Sequence, residues 1–529
     1  MGKELTFRAI IVGSILAVII TMYSAFAGLK IGGVYWPITT ASIMALGILT
    51  LLGNTNKNEI NIAQTIASAG GLLAAGIIFT VPALYLIGFE ISIIDITIIS
   101  LVGGITGVIF SVPLRKQMIE KEQLEFADGK AAAAIIEAGD EKGTKIKLLS
   151  AMFGIGIIFS FLRDYLKLIP SFFNLESLKI SFSKLFSFGS SISLIPFSGG
   201  YLIGPKFTGI WFLGAIISYL IILPLVVANG FFSDKFTAMI SLTKPLGIGI
   251  VIGAAIMYFV LKGLPALKNI FSDWKESFKE NQKMIGFVLI VLVATLTIIT
   301  EMNLVLAVIA VLGAFVMAYL GGRVTGEINV DPMELFAMIV LITAKILFGF
   351  NAVFLVIIAA VVCISAGVAG DTLQDLKTGF LLGTKPKHQF IAQLIGVVIG
   401  ALLIGVILMA LQQTYGFGTT ELPAPQAVAL SEIIKTDTLS GNLLLGILIG
   451  GILALIVSFF ESAIIVVAFG IGVYVPIELS FPLFIGGLIR FYADKKNWTE
   501  KGRLIAAGLI AGEGFTGVVL ALLGLGKLI

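Results

Sequence analysis

Residues 352–379 read AVFLVIIAAVVCISAGVAGDTLQDLKTG, a long apolar run followed by a polar stretch that holds two aspartates. About 20 apolar residues in a row are enough to cross the hydrocarbon core of a bilayer as a helix. The polar stretch, residues 369–379, lies either in water at the membrane face or along a cavity that protein encloses. That choice decides whether, and where, the protein has a pathway for a solute.

Composition extends this pattern to the whole chain. Of its 529 residues, 58% are hydrophobic and 12% are charged, whereas a soluble domain carries about 25% charged residues. The formal charge of +4 is spread over many loops, which does not suit nucleic acid as a partner. One cysteine and one histidine exclude a disulfide framework and a metal centre rich in these residues. We therefore expect a multi-pass protein of the lipid bilayer, with no metal and no other cofactor.

Hydropathy divides the chain into about seventeen apolar segments, which predicts an all-α polytopic membrane protein with about 16–17 transmembrane helices. Two segments, 191–204 and 462–476, are short and are interrupted by glycine and proline. Irregular backbone at membrane depth is tolerated only where it is buried in protein or lines a wet cavity. Paired short segments are typical of transporter binding sites, so we expect both to form broken or re-entrant helices.

An internal duplication is indicated by residues that recur in the same order. Ser68-Ala69-Gly70 lies about 297 residues before Ser365-Ala366-Gly367. Further matches pair Phe197, Gly200 and Gly214 with Phe469, Gly472 and Gly486, and Gly249 and Gly253 with Gly508 and Gly512. They predict an N-terminal repeat at 1–268, a linker with a linking helix at 269–301, and a C-terminal repeat at 302–529. Basic loops stay cytoplasmic, and placing those of this chain on one side makes the two repeats inverted.

Two glutamates stand in apolar surroundings, Glu513 inside the last apolar segment and Glu461 between two others. An ionisable side chain within a membrane segment costs about 2.5–3.5 kcal/mol on insertion scales, so such residues suggest a function. A carboxyl group whose charged form is disfavoured by burial can take up and release a proton. We predict that Glu513 and Glu461 couple transport to protons; a structural ion pair, or a helix end that reaches water, is the alternative.

Asp371 and Asp375 are one helical turn apart, so both carboxylates face the same way if the stretch is helical. Such a pair suits a divalent ion in a membrane-embedded enzyme that resembles prenyltransferases, but no second acidic motif completes a metal cluster. The other interpretation is a surface that contacts a solute or gates its path, with Gln374 offering both a donor and an acceptor. A solvated loop is the third.

Four more residues are candidates for contact with a solute. Gln64 is a polar residue within an apolar segment, and Gln426 follows Pro423-Ala424-Pro425, a pattern that starts a helix. A helix N-terminus binds anionic groups such as carboxylates. The other two are neighbours, Gly200 and Tyr201. Tyr201 offers a hydroxyl group and a ring to a ligand, and a packed aromatic side chain is the alternative.

The chain resembles the oligopeptide transporter (OPT) family over nearly its whole length. The runs that carry the resemblance include Gly370–Gly379, Leu422–Gln426 and Ala507–Glu513. The run with Gln374 and Asp375 is the most specific, and it is similar to the yellow-stripe branch, whose members move metal chelates. The other branch moves small peptides and glutathione. The resemblance implies a proton-coupled importer with about sixteen membrane segments, and a homodimer.

These observations predict a secondary transporter, a symporter that imports small oligopeptides or metal-chelate complexes across the cell membrane. The residues leave open whether the coupling ion is a proton or sodium, and the resemblance implies the proton. No G-x-x-x-x-G-K-[ST] run that would bind ATP occurs in the chain. We expect no enzyme activity; a channel and the prenyltransferase-like enzyme are the alternatives.

Overall fold

A computed structural model describes residues 4–33, 37–139, 143–174, 188–268, 270, 282–348, 351–435 and 440–525. Within these ranges, ten helices are long and apolar enough to cross a membrane, and five shorter apolar helices accompany them. The chain is an all-α polytopic membrane protein, as predicted. Its described sheet is a single hairpin, in which β1 (Phe172–Asn174) pairs antiparallel with β2 (Gly189–Ser191) and Phe172 lies opposite Ser191.

The helices are numbered here in chain order. The first twelve are α1 Phe7–Ile31, α2 Pro37–Leu51, α3 Lys57–Ile78, α4 Pro82–Leu86, α5 Ile93–Arg115, α6 Ala127–Ala138, α7 Thr144–Ser160, α8 Leu194–Ile203, α9 Pro205–Ala215, α10 Leu223–Ala228, α11 Lys235–Ala238 and α12 Lys244–Tyr258. The rest are α13 Gln282–Ile299, α14 Leu304–Ile328, α15 Met333–Phe348, α16 Ala352–Leu382, α17 Pro386–Tyr415, α18 Pro425–Lys435, α19 Gly441–Val457, α20 Ile465–Tyr474, α21 Ile477–Lys495 and α22 Thr499–Leu525. Five π-helical turns extend some of them, at Lys116–Lys121, Phe161–Tyr165, Ile216–Ile222, Met239–Thr243 and Phe259–Gly263.

Helix α16 contains the polar stretch 369–379. The Asn351 side chain caps its start by accepting a hydrogen bond from the Val353 amide, and the helix ends at Gly383 in the left-handed conformation (φ +79°). Between them the chain offers no helix breaker other than isolated glycines, so the helix continues through the polar residues. Asp371 and Asp375 are 1% and 0% exposed. The stretch is therefore enclosed by protein, and its interpretation as a solvated loop is wrong.

Contacts divide the chain into two compact units. Unit 1 comprises residues 1–148, 265–417 and 518–529, and unit 2 comprises residues 149–264 and 418–517. Each unit therefore takes helices from both predicted repeats, whose bounds stay a prediction.

Unit 1 is built from helix pairs that recur in the two halves of the chain. Helix α1 packs on α3 as α14 packs on α16, and α5 packs on α16 as α17 packs on α3. Glycines allow the close approach of α5 to α16 and of α17 to α3. A β-carbon on Gly107 would lie 2.7 Å from the Ser365 carbonyl oxygen, and one on Gly400 would lie 2.8 Å from the Gly70 carbonyl oxygen. Small residues at such crossings let helix backbones pack closely within a membrane.

Unit 2 contains the two short helices that the sequence predicts, α8 and α20. Each has ten residues and is therefore about 15 Å long, half the thickness of a hydrocarbon core. Glycines at matched positions bring them against their neighbours: Gly200 of α8 lies on the Leu483 carbonyl, and Gly472 of α20 lies on the Trp211 carbonyl.

The partner helices repeat this arrangement in reverse. Gly486 of α21 lies on the Phe197 carbonyl, and Gly214 of α9 lies on the Phe469 carbonyl. All four glycines are ones that the sequence matches in pairs, so the reciprocal crossings support the proposed duplication.

Candidate functional site

The two aspartates of α16 form hydrogen bonds with α3. The Ser68 hydroxyl donates to Asp371 Oδ1 over 2.8 Å, and the Gln64 amide donates to Asp375 Oδ1 over 2.5 Å. Ser68 and Gln64 are themselves one helical turn apart on α3, so two hydrogen bonds, also one turn apart, join α3 to α16. The shared face that the four-residue spacing predicts for the aspartates is present.

Helix α17 closes the other side of Asp375. The Gln393 amide donates to Asp375 Oδ2, and the Gln389 amide donates to the main-chain carbonyl of Asp375, both over 2.6 Å. All three glutamines around this aspartate are fully buried. We call Gln64, Ser68, Asp371, Asp375, Gln389 and Gln393 the aspartate cluster.

The aspartate cluster holds two carboxylates without a basic partner. In the part of the chain that the structure describes, no lysine, arginine or histidine side chain forms an ion pair with Asp371 or Asp375. Removing an ionised carboxylate from water costs several kcal/mol unless charge and hydrogen bonds compensate it. Neutral amides supply hydrogen bonds but no charge, so the cluster is suited to binding a proton or a cation.

Gln374 points away from this cluster. Its amide nitrogen donates to Asn329 Oδ1, and its amide oxygen accepts from the Gly129 backbone, both over 2.7 Å. These contacts join the start of α6 to the end of α14. A contact between Gln374 and a solute stays a prediction, and its bonds favour a structural role.

Glu513 is fully buried on α22, in unit 2, and holds the start of α8. It accepts from the Ser193 hydroxyl over 2.6 Å and from the backbone amides of Leu194 and Ile195 over 2.6 and 3.2 Å. The Arg163 guanidinium lies 2.9 Å from Glu513 Oε1, the oxygen that also accepts from Ser193. A carboxylate at a helix N-terminus is stabilised by the free amides and the helix dipole. Glu513 is thus an ion-paired carboxylate at a helix start.

Glu461 lies in the loop between α19 and α20, where it is exposed and paired with Lys206. The hydrogen bond from the Lys206 ammonium lowers the pKa of this carboxyl. Glu461 therefore stays ionised at neutral pH and faces solvent.

The other predicted contacts lie in unit 2. Gly200 serves the helix crossing already described. The Tyr201 hydroxyl donates to the Thr499 carbonyl over 3.3 Å, and the Arg490 guanidinium lies 5.6 Å from the centre of its ring. Gln426 is the second residue of α18 and is 3% exposed. Of the predicted solute residues, the structure brings Gln64 together with Asp371 and Asp375.

Comparison with known proteins decides the family. A family model described as OPT oligopeptide transporter protein matches residues 4–524. The chain belongs to the OPT oligopeptide transporter family. A Haemophilus influenzae protein named as an oligopeptide transporter is 26% identical, over 94% of this chain and 92% of that protein. The resemblance that the sequence carries is confirmed.

Two other relatives of this OPT-family chain match over shorter stretches. A Saccharomyces cerevisiae protein named as oligopeptide transporter YGL114W is 26% identical over 40% of this chain and 32% of its own length. A rice protein (Oryza sativa subsp. japonica) named probable metal-nicotianamine transporter YSL14 is 27% identical over 30% of this chain and 25% of its own length. Both names used for the relatives, and the ten apolar helices, agree with a multi-pass membrane transporter.

Some residues of the aspartate cluster in this OPT transporter were not among the predicted site residues. They are Gln389, Gln393 and Ser68, of which the sequence brings only Ser68 into view, through a repeat match. The available signal was the four-residue spacing of Gln389 and Gln393, which places both on one face of a helix. Among the described residues, no group of three or more His, Cys, Asp or Glu side chains is placed to hold a metal ion.

Proposed function

We propose that this OPT-family chain is a proton-coupled symporter that imports small oligopeptides or metal-chelate complexes across the cell membrane. The observation that carries the proposal is the aspartate cluster, a pair of buried carboxylates held only by neutral donors. Membership of the family supports transport, and the cluster supports the ion coupling. As the resemblance implies, we further propose that the protein is a homodimer.

A group that carries a proton through a transport cycle has to exist both with and without it. Asp375 suits this role because the amides of Gln64 and Gln393 stabilise its ionised form without fixing its charge. Asp371 has an oxygen, Oδ2, with no hydrogen-bond partner, and it can accept a proton there. A charge on one carboxylate disfavours a charge on the other, so the pair is suited to sharing one proton.

Glu513 and Glu461 suit the role less well, although their predicted part in proton coupling stays untested. Arg163 and three hydrogen-bond donors surround Glu513, and such partners favour the ionised form. Lys206 does the same for Glu461 at the surface. We therefore assign the proton to Asp371 and Asp375.

The relatives' names point to the solute class, since they name oligopeptides and metal-nicotianamine. Paired short helices mark the binding sites of many transporters, and α8 and α20 are such a pair. We propose that the solute contacts these helices, with Gly200, Tyr201 and Gln426 as candidate contacts.

Uptake into proteoliposomes tests the proposal. The vesicles receive an inward proton gradient, and the uptake of a labelled tetrapeptide is compared with that of labelled iron-nicotianamine. We expect uphill accumulation of one of them, abolished by a protonophore. No gradient-dependent uptake of either solute contradicts the proposal. Fast flux without accumulation indicates a channel, and chemical conversion of a substrate without a gradient indicates an enzyme.

A further inference from the structure

We propose that the aspartate cluster is also a binding site for a monovalent hard cation, of which sodium is the probe to use. The inference concerns the site to which the proposed function assigns the proton, but it does not require proton coupling. Sodium binding is measured on the purified protein without solute or gradient, so the two proposals fail independently.

The aspartate cluster contains more buried acceptors than donors. The Ser68 hydroxyl and the three glutamine amides each donate one hydrogen bond to Asp371 or Asp375. Four buried oxygens are left without a hydrogen-bond partner, namely Asp371 Oδ2, Gln64 Oε1, Gln389 Oε1 and Gln393 Oε1. A buried acceptor with no partner is energetically unfavourable. Gln389 Oε1 lies against Gly379, one turn further along α16, so the three other free oxygens indicate that something electropositive belongs beside the carboxylates.

Covalent geometry keeps these oxygens close to the carboxylates. The oxygen and nitrogen of one amide group are about 2.3 Å apart. The amide nitrogens of Gln64 and Gln393 contact the two carboxylate oxygens of Asp375 over 2.5 and 2.6 Å. Their free oxygens thus lie within about 5 Å of the same carboxylate, on α3 on one side and α17 on the other. Both glutamines are 0% exposed, so bulk water does not reach these atoms.

The chemistry of these acceptors fits a hard cation. Carboxylate, amide and hydroxyl oxygens are the ligands of such ions, and Asp371 Oδ2 with the two amide oxygens supplies this set. The charge also fits, because the cluster has two carboxylates and no basic side chain within the described residues. A divalent ion needs both carboxylates ionised to balance its charge, whereas a monovalent cation needs only one and leaves the second to hold the proton that the proposed function assigns to the pair.

Asp331 is a further carboxyl group beside this part of α16. Asp331 lies against the backbone of Gly370, where an added β-carbon would be 2.6 Å from Asp331 Oδ2. Both of its carboxylate oxygens lack a hydrogen-bond partner. Asp331 thus adds two free acceptor oxygens beside the helix turn that carries Asp371.

The test measures binding of ²²Na⁺ to the purified full-length protein, together with its thermal unfolding in sodium chloride and in choline chloride at equal ionic strength. We expect saturable binding and a higher Tm in sodium. Asp375→Asn and Asp371→Asn should each weaken binding by about tenfold or more, equivalent to ~1.4 kcal/mol. Glu137→Gln, which neutralises an exposed carboxylate, should bind sodium like the wild type.

The sodium-binding and Tm measurements on the wild-type protein do not depend on whether the variants fold. If the wild type binds no ²²Na⁺ and its Tm is the same in both salts, ordered water satisfies the free oxygens and the inference is overturned. It is also overturned if both aspartate variants bind sodium as the wild type does, because the ion then sits elsewhere. Size-exclusion profiles and the Tm in choline show whether each variant is folded.

Discussion

At the scale of the residue, the buried acids Asp375 and Glu513 differ in the charge of the groups that contact them. Asp375 accepts hydrogen bonds from neutral amides alone. Glu513 accepts hydrogen bonds from a helix start and also faces Arg163. A basic partner fixes the charge of a carboxylate, whereas neutral partners let it change. We therefore expect Asp375 to change its charge during transport and Glu513 to keep it.

The first prediction concerns Glu513→Gln. The change removes one of the two carboxylates that contact Arg163, whose other partner is Asp164 at 2.7 Å, and it weakens the cap of α8. Breaking a buried ion pair leaves a charge uncompensated, so we expect a loss of about 3 kcal/mol in unfolding free energy. Chemical unfolding in detergent measures it. Glu461→Gln, at an exposed pair, is the control and should unfold like the wild type.

A different result would restore the proton-coupling role predicted for Glu513. Wild-type stability of Glu513→Gln, combined with loss of proton-driven accumulation and retained solute exchange, would show that this residue carries the proton.

At the scale of the element, the second prediction concerns the crossing of α8 with α21. A methyl group on Gly200 would overlap the Leu483 carbonyl, so Gly200→Ala forces the two helices apart. Overpacking of this kind costs about 1–3 kcal/mol, measurable as a lower Tm. Gly209 of α9 is the matched control, because an added β-carbon there meets nothing within 4 Å. Equal stability of the two variants would contradict the described crossing.

The third prediction concerns Gln374→Ala, which removes both hydrogen bonds between this side chain and its neighbours. The Gly129 amide loses its acceptor, so we expect faster hydrogen exchange in α6 and a cost of about 1–3 kcal/mol. Exchange mass spectrometry resolves peptides of residues 127–138. Solute uptake should survive. Lost uptake with unchanged exchange in α6 would instead assign Gln374 to the solute.

Local sequence signals predicted those features that depend on local structure. Glycine and proline in the segments 191–204 and 462–476 correctly indicated short helices, because they interrupt the apolar run. The spacing of Asp371 and Asp375 correctly placed both on one face. Gln374 lies one residue before Asp375, about 100° around the helix, which turns it toward other neighbours.

The partners of the aspartates were harder to predict. Gln64 is 311 residues from Asp375 along the chain, and their contact depends on α3 packing against α16. No local pattern indicates which helices pair. The same holds for Glu513, whose apolar surroundings were visible in the sequence while Arg163 and the start of α8 were not.

At the scale of the whole molecule, the two predicted repeats differ at the aspartate cluster. The offset that aligns Ser68 with Ser365 is 365 − 68 = 297 residues, and it places Ala74 and Ile78 opposite Asp371 and Asp375. One half thus supplies the acids, while α3 of the other half supplies Gln64 and Ser68. We infer that the site arose when the repeat that contains α16 acquired the two aspartates and the repeat that contains α3 did not.

The central claim is that this pair of aspartates couples transport to the proton, and the most direct measurement is uptake by Asp375→Asn. Asparagine has the same shape and can still accept a hydrogen bond, so the variant should fold. In proteoliposomes with an inward proton gradient, we expect the wild type and the Glu137→Gln control to accumulate solute uphill. Asp375→Asn should lose that accumulation and keep solute exchange in the absence of a gradient. Wild-type accumulation by Asp375→Asn and by Asp371→Asn would contradict the account.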